Sequence, residues 1–242
     1  ESVFCIYLGQ TVKCFTLNSH KLYLDRYVRY HSTFVQDTSK DTFKYLGRLM
    51  AQDNLDEVLD QWSSCSKLLG FREILQSKEP EYLLRKEFVR GVQKLGSRGY
   101  TYDILTYPRQ LPNALSLVDK CPNQRFVVDH LSKPDIKTGD WKAWKKSLQP
   151  FGERELVYAK VSGLITEADW NKWSNHELYP YLEIALEIFG PKRLLFGSDW
   201  PVCLLAGEYG QVLEVIESFT NQLSTDEKEA ILGGTAQEFY SI

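Results

Sequence analysis

The chain holds 242 residues, 43% of them hydrophobic and 25% charged, with a formal net charge of −3. That is the balance of a globular protein with enough chain to bury a sizeable core in one large domain. The mild acidity and the lack of a clustered basic stripe argue against nucleic acid as a partner, and no run of about eighteen apolar residues is present to span a membrane.

The opening ESVFCIYLGQTVKCFTL is apolar, but it has no basic leader or small-residue cleavage site and starts at Glu1. It reads as part of a fragment or spliced product, not as an export signal. Residues 1–38 are poorly patterned, with short strands expected at Val3–Leu8 and Thr33–Gln36. Helices are expected at Lys40–Ala51 and Asn54–Trp62. The five cysteines (Cys5, Cys14, Cys65, Cys121 and Cys203) are odd in number, widely spaced and free of any C-x-x-C pair. Reduced thiols in a cytoplasmic protein are the simplest reading.

From Gly70 onward, β-rich runs alternate with amphipathic stretches, the rhythm of parallel βα units. The runs are Phe71–Gln76, Tyr100–Thr106, Arg125–Leu131, Val157–Gly163 and Arg193–Asp199. Between and after them, helices are expected at Glu81–Leu95, Pro112–Val118, Glu177–Phe189 and Gln211–Leu223. A last helix opens at Ser224 with a capping-box pattern and runs to Phe239. No G-x-G-x-x-G or G-x-x-x-x-G-K-[ST] occurs, which weakens a nucleotide-binding sheet. Polar residues instead gather at strand ends: Arg72, Glu73 and Gln76; Tyr107 and Arg109; Asp129 and His130; Lys160 and Ser162; Ser198 and Asp199. Strand C-termini converge on one mouth in a (β/α)₈ barrel, so this placement favours a barrel. With these strands counted as the fourth to the eighth, about sixty residues remain for three units of about thirty each. The expected fold is therefore α/β, a TIM-like (β/α) barrel, incomplete or distorted at its N-terminal strands. Residues 1–242 make one domain on this reading, with 1–66 atypical and 69–242 regular.

Six strings appear in order: GFREILQ, LTYPRQLP, RFVVDHLSKP, AKVSGLITEADW, LLFGSDWPVCLLAGEY and ILGGTAQEFY. Together they resemble the amidohydrolase-related family, in its sugar-acid lactonase branch, that of L-fuconolactonase and L-rhamnonolactonase. The likeness covers Leu69–Ile242 and, weakly, Val35–Ser66. It implies a barrel hydrolase in which water attacks a carbonyl, assisted by an aspartate at the end of the last strand, here Asp199. Metal-using relatives hold a divalent ion, commonly zinc, through an H-x-H pair, a later histidine and this aspartate. His130 matches the later histidine. No H-x-H exists among His20, His31, His130 and His176, so His130 and Asp199 are two metal ligands where a catalytic zinc takes three. Glu73 also stands where sugar lactonases often have histidine.

Each candidate has a bland alternative. Asp199 would be the general base, or else a loop cap. His130 would ligate a metal or polarise the carbonyl oxygen, or else pack structurally. Asp129 follows the strand on the opposite face and reads as a partner for Lys133 or a helix N-terminus. Arg72 and Arg109 offer planar forks for a sugar acid, or form surface salt bridges. Glu73, Gln76, Tyr107 and Trp200 would line the sugar or simply pack. Lys160 reads as shaping the site more than as catalytic. Trp170 and Trp173 would form a lid or pin their loop. The expected activity is opening of a small cyclic ester, a sugar-acid lactone. A non-catalytic barrel and a metal-dependent decarboxylase stand as the rivals.

Overall fold

The computed structural model describes residues 3–8, 11–16, 49–51, 53–64 and 68–241. The strand expected at Thr33–Gln36, most of the helix expected at Lys40–Ala51, and His20 and His31 lie outside the described residues. The fold divides into two compact units, one within Glu1–Ile104 and Ser116–Phe126, the other within Leu105–Leu115 and Val127–Ile242.

In the first unit, β1 (Val3–Leu8) and β2 (Thr11–Thr16) form an antiparallel hairpin, with Val3 opposite Thr16 and Leu8 opposite Thr11. β1 also runs parallel to β3 (Leu68–Ile74), placing Tyr7 beside Phe71. β4 (Thr101–Leu105) lies on the other flank of β3. The first strand is thus met by a returning strand instead of a crossover helix, which is where the expected N-terminal distortion falls.

α1 (Leu55–Trp62) buries Leu55, Val58 and Leu59, one helical face. Its acidic face meets α2 (Lys86–Ser97): Asp56 pairs with Lys94 and Arg98, and Asp60 with Arg98 at 2.5 Å. The Lys94 ammonium beside Asp56 holds its carboxyl below the usual range. These pairs are half-buried to exposed, lie at the surface and add little to stability. The expected helix at Glu81–Leu95 is in fact two elements. Pro80–Leu84 makes a 3-10 turn, Arg85 is extended at φ −59° and ψ 135°, and α2 begins at Lys86. The break lets the Tyr82 hydroxyl donate to Glu73 Oε1 at 2.9 Å while Phe88, Val92 and Leu95 face inward.

Phe88 is fully buried, with ring centroids 5.1 Å from Tyr82 and 6.1 Å from Tyr102. Tyr102 in turn stacks edge-on to Phe126 at 6.3 Å. Removing the first ring would leave a cavity that two packed tyrosines cannot collapse into. Phe88→Ala is expected to cost about 3–5 kcal/mol, read as a lower urea midpoint at unchanged slope. Where α2 crosses the turn Leu49–Ala51, a Cβ on Gly91 would lie 2.0 Å from the Met50 carbonyl oxygen, so only glycine permits that approach. α3 (Leu111–Lys120) is followed by Cys121, whose thiol burial pushes up to about 12.

β5 (Phe126–Val128), which belongs to the second unit from Val127 onward, is followed by β6 (Val157–Val161) and β7 (Leu194–Phe196) as neighbours in that order. β6 and β7 are parallel, with Lys160 beside Leu195. α4 (Trp141–Leu148), unforeseen in the sequence, buries Trp144 against Tyr181 of α5 (Asn175–Phe189), with centroids 5.3 Å apart. Arg193 ties the start of β7 to the preceding loop, donating to the carbonyls of Gly152, Arg154 and Val157 at 2.7–3.2 Å. α6 (Tyr209–Thr220) comes next. The expected capping box is present at α7 (Thr225–Glu229), where the Ser224 amide donates to Glu227 Oε2 at 2.9 Å. The final helix is not continuous, because Ala230–Gly234, with two glycines, widens to a π turn before α8 (Thr235–Tyr240). The five strands from β3 to β7 run parallel with helices between them, the expected α/β class.

Candidate active site

All five expected parallel strands exist, but β5 and β7 stop early, at Val128 and Phe196. Beyond β5 the chain enters a left-handed turn. His130, Leu131, Ser132 and Lys133 have φ of 51°, 49°, 56° and 52°, four consecutive non-glycine residues in a region that costs L-residues about 1–2 kcal/mol each. Such a turn persists only where its surroundings over-determine it. Here the Trp144 indole donates to the Leu131 carbonyl at 2.8 Å, the Ser132 and Thr106 hydroxyls share a 2.8 Å bond, and the Lys133 amide donates to the His130 carbonyl at 2.7 Å. Trp144, Ser132 and Thr106, whose side chains anchor the turn, are all buried. Asp199, after β7, also has a positive φ of 56°, and its carbonyl accepts from the Cys203 amide at 3.0 Å.

These two strained segments bring His130 and Asp199 together. His130 Nε2 lies 3.5 Å from Asp199 Oδ1 and 3.5 Å from Asp129 Oδ2, while Nδ1 is 2.7 Å from the Ser162 Oγ. Asp129 Oδ1 is 3.1 Å from the Lys160 ammonium. His130 and Asp199 are each 6% exposed, and Asp129 is fully buried. Lys160 and Ser162 are two apart, so they leave the β6 segment on one face and meet Asp129 and His130 respectively. Gly163, next in line, packs on both candidate catalytic groups. A Cβ there would lie 2.8 Å from His130 Nδ1 and 3.2 Å from Asp199 Oδ2.

The expected role of Asp129 is corrected by this geometry. Strand alternation would send it away from His130, but β5 has ended one residue earlier and the left-handed turn folds both side chains into one cluster. Lys133, the partner expected for Asp129, pairs with Glu167 instead. Lys160 faces Asp129, and Ser162 and Gly163 face His130. The S-G pair after AKV was visible in the sequence, but nothing in it said which side chains it would touch.

The other candidates occupy more scattered positions. Tyr107 and Arg109, both exposed, stand at the 3-10 turn Pro108–Gln110, where the Tyr107 amide donates to the buried Gln110 at 2.9 Å. Trp200 is half-buried beside Asp199 in the chain. Arg72 and Glu73 are buried on β3 in the first unit, where Glu73 accepts the Tyr82 hydroxyl, and Gln76 just beyond is half-buried. Trp170 and Trp173 pin their loop: the Trp170 indole donates to the Thr166 carbonyl at 2.8 Å and that of Trp173 to Ala206 at 2.7 Å. Trp170 nonetheless remains half exposed. Among the described residues, no helix is long and apolar enough to cross a membrane.

Whether the cluster suits zinc depends on its donors. Three protein ligands and an open position are the usual catalytic set. His130 and Asp199 supply two. Asp129 is near, but the Lys160 ammonium on its carboxylate opposes a dication there. No group of three or more His, Cys, Asp or Glu among the described residues could hold a metal ion. The residues described do not by themselves make up the ligand set of a tightly held zinc.

Five parallel strands with helices between them make the α/β class, and a buried His–Asp pair stands just past two strand ends. The amidohydrolase family profile matches residues 39–242, and the chain belongs to that family. An L-fucono-1,5-lactonase of Burkholderia multivorans is 36% identical over 200 residues, covering 78% of this chain and 67% of its own length. An L-rhamnono-gamma-lactonase of Scheffersomyces stipitis is 30% identical over 183 residues, covering 65% of this chain and 54% of its own. The crystal structure of an amidohydrolase from Burkholderia multivorans with bound zinc superposes at a TM-score of 0.79 and 33% identity, covering 88% of this chain and 80% of that one. This chain therefore spans between about half and two thirds of the length of these two lactonases.

Proposed function

We propose that the chain is a hydrolase that opens a sugar-acid lactone by water attack. The observation that carries this reading is the buried His130–Asp199 pair, 3.5 Å apart, on a chain 36% identical to an L-fucono-1,5-lactonase. Asp199 takes a proton from a water molecule as the water oxygen bonds to the lactone carbonyl carbon. Negative charge moves onto the carbonyl oxygen, which the Nε2–H of His130 stabilises. Collapse breaks the ring C–O bond, and the proton on Asp199 passes to the departing ring oxygen. The product is an open hydroxy acid, which releases a proton near neutral pH. Asp129, held by Lys160, keeps the imidazole in place.

The substrate is a small molecule, and Arg72, Glu73, Gln76, Tyr107, Arg109 and Trp200 are its proposed binding residues. Arg109 suits the hydroxyls or carboxylate of a sugar acid, because its guanidinium offers a planar set of donors. The odd number and wide spacing of the cysteines support a reducing, cytoplasmic setting. A pH-indicator assay over five- and six-membered sugar lactones tests the reading directly. Acid release above the spontaneous rate is expected, and its absence from folded protein would overturn the proposal. Arg109→Ala is expected to raise KM with kcat little changed, the signature of an interaction made equally in ground and transition states.

A further inference from the structure

We propose that Ser162 is a positioning residue for this reaction: its hydroxyl donates to Nδ1 of His130 and so keeps the ring proton on Nε2, the nitrogen that faces Asp199. The inference rests on the hydrolytic reading of the His130–Asp199 pair and assigns the tautomer that reading requires.

The Ser162 Oγ is 2.7 Å from His130 Nδ1, with Ser162 3% and His130 6% exposed. Among the described residues, Nδ1 is the hydrogen-bond partner of this hydroxyl. A neutral imidazole carries one N–H, and the nitrogen opposite must accept. If Nδ1 donated to Ser162, the buried hydroxyl proton would have no acceptor among the described residues. The bare lone pair of Nε2 would then face the carboxylates of Asp129 and Asp199, each 3.5 Å away. If Ser162 donates instead, its proton is satisfied and Nε2–H lies toward both carboxylates. A buried donor left unmet is the costlier arrangement, so the second tautomer wins. It is also the one in which His130 can donate to a developing oxyanion, because a ring bare at Nε2 cannot.

The fold makes this bond hard to avoid. The left-handed turn that carries His130 is fixed by the Trp144 bond to the Leu131 carbonyl and the Thr106 bond to the Ser132 hydroxyl. On the other side, Gly163 presses on the ring so closely that a Cβ there would be 3.1 Å from His130 Cγ. The imidazole is held between these surfaces with Nδ1 directed at the hydroxyl that sets its tautomer.

The test is ¹⁵N NMR of the full chain labelled at histidine. There are four histidines, His20, His31, His130 and His176, so His130 is assigned by loss of its signals in His130→Gln. In the wild type, Nε2 is expected to give a pyrrole-type and Nδ1 a pyridine-type shift. In Ser162→Ala the two tautomers should mix, and kcat on a lactone substrate should fall up to about tenfold, the rate equivalent of one ordinary hydrogen bond, with KM little changed. A protonated Nδ1 in the wild type, in a neutral or a charged ring, would overturn the assignment without any variant having to fold. A folded Ser162→Ala protein with wild-type kcat would overturn the catalytic consequence. If the wild type opened no lactone, the hydrolytic reading would fall, while the tautomer would still be decided by the spectrum.

Discussion

Asp199→Asn is expected to give a folded protein whose kcat falls about a hundredfold to ten-thousandfold, the usual range for loss of a general base. The change is nearly isosteric, and asparagine, like aspartate, is one of the few non-glycine residues that visit the left-handed backbone Asp199 adopts at φ 56°. The fold should therefore survive, with thermal midpoint and circular dichroism close to wild type. What is lost is the ability to accept a proton, because an amide oxygen is not a base near neutral pH. KM should move little, since the missing step belongs to the transition state. The pH-indicator assay reads both constants in one titration. Wild-type turnover in Asp199→Asn would remove the mechanism even if lactones remained substrates.

The strand rhythm was legible because buried parallel strands read as short apolar runs at regular spacing, and all five appear within a few residues of their expected bounds. The two strand ends that carry the chemistry were less legible. Nothing in D-H-L-S-K announces four consecutive left-handed residues, because that conformation runs against the propensity of each one and is imposed by Trp144 and Thr106 from elsewhere in the unit. The period-two rule then sent Asp129 to the wrong face. α4 leaves no clear periodic signal, because its lysines dilute a stripe of only Trp144 and Leu148. Glu81–Leu95 reads as one helix because its apolar residues keep nearly the same phase across Arg85, whose extended backbone has no sequence signature of its own.

Gly163→Ala should cost both stability and activity, and a second glycine separates the two effects. Gly163 has φ +65°, so any side chain there carries the left-handed strain of about 1–2 kcal/mol. Its Cβ would also stand 2.8 Å from His130 Nδ1, 3.1 Å from Cγ and 3.2 Å from Asp199 Oδ2. The first distance is too short to keep, so a neighbour must move. His130 is fixed behind by the left-handed turn, and its Nδ1 is the atom bonded to Ser162. Whichever group yields, the Nε2-to-Asp199 geometry changes by a few tenths of an ångström or more. Misplacement on the order of 1 Å costs about a hundredfold in rate, and a loss approaching that in kcat is expected. Gly139 is the control: it has φ +72°, but a Cβ there meets nothing within 4 Å. Gly139→Ala should lower the thermal midpoint through strain alone, by less than Gly163→Ala, while leaving kcat and KM at wild-type values. Measured together, the pair isolates contact from strain. Equal activity in the two variants would mean that Gly163 serves the backbone and not the His130–Asp199 pair.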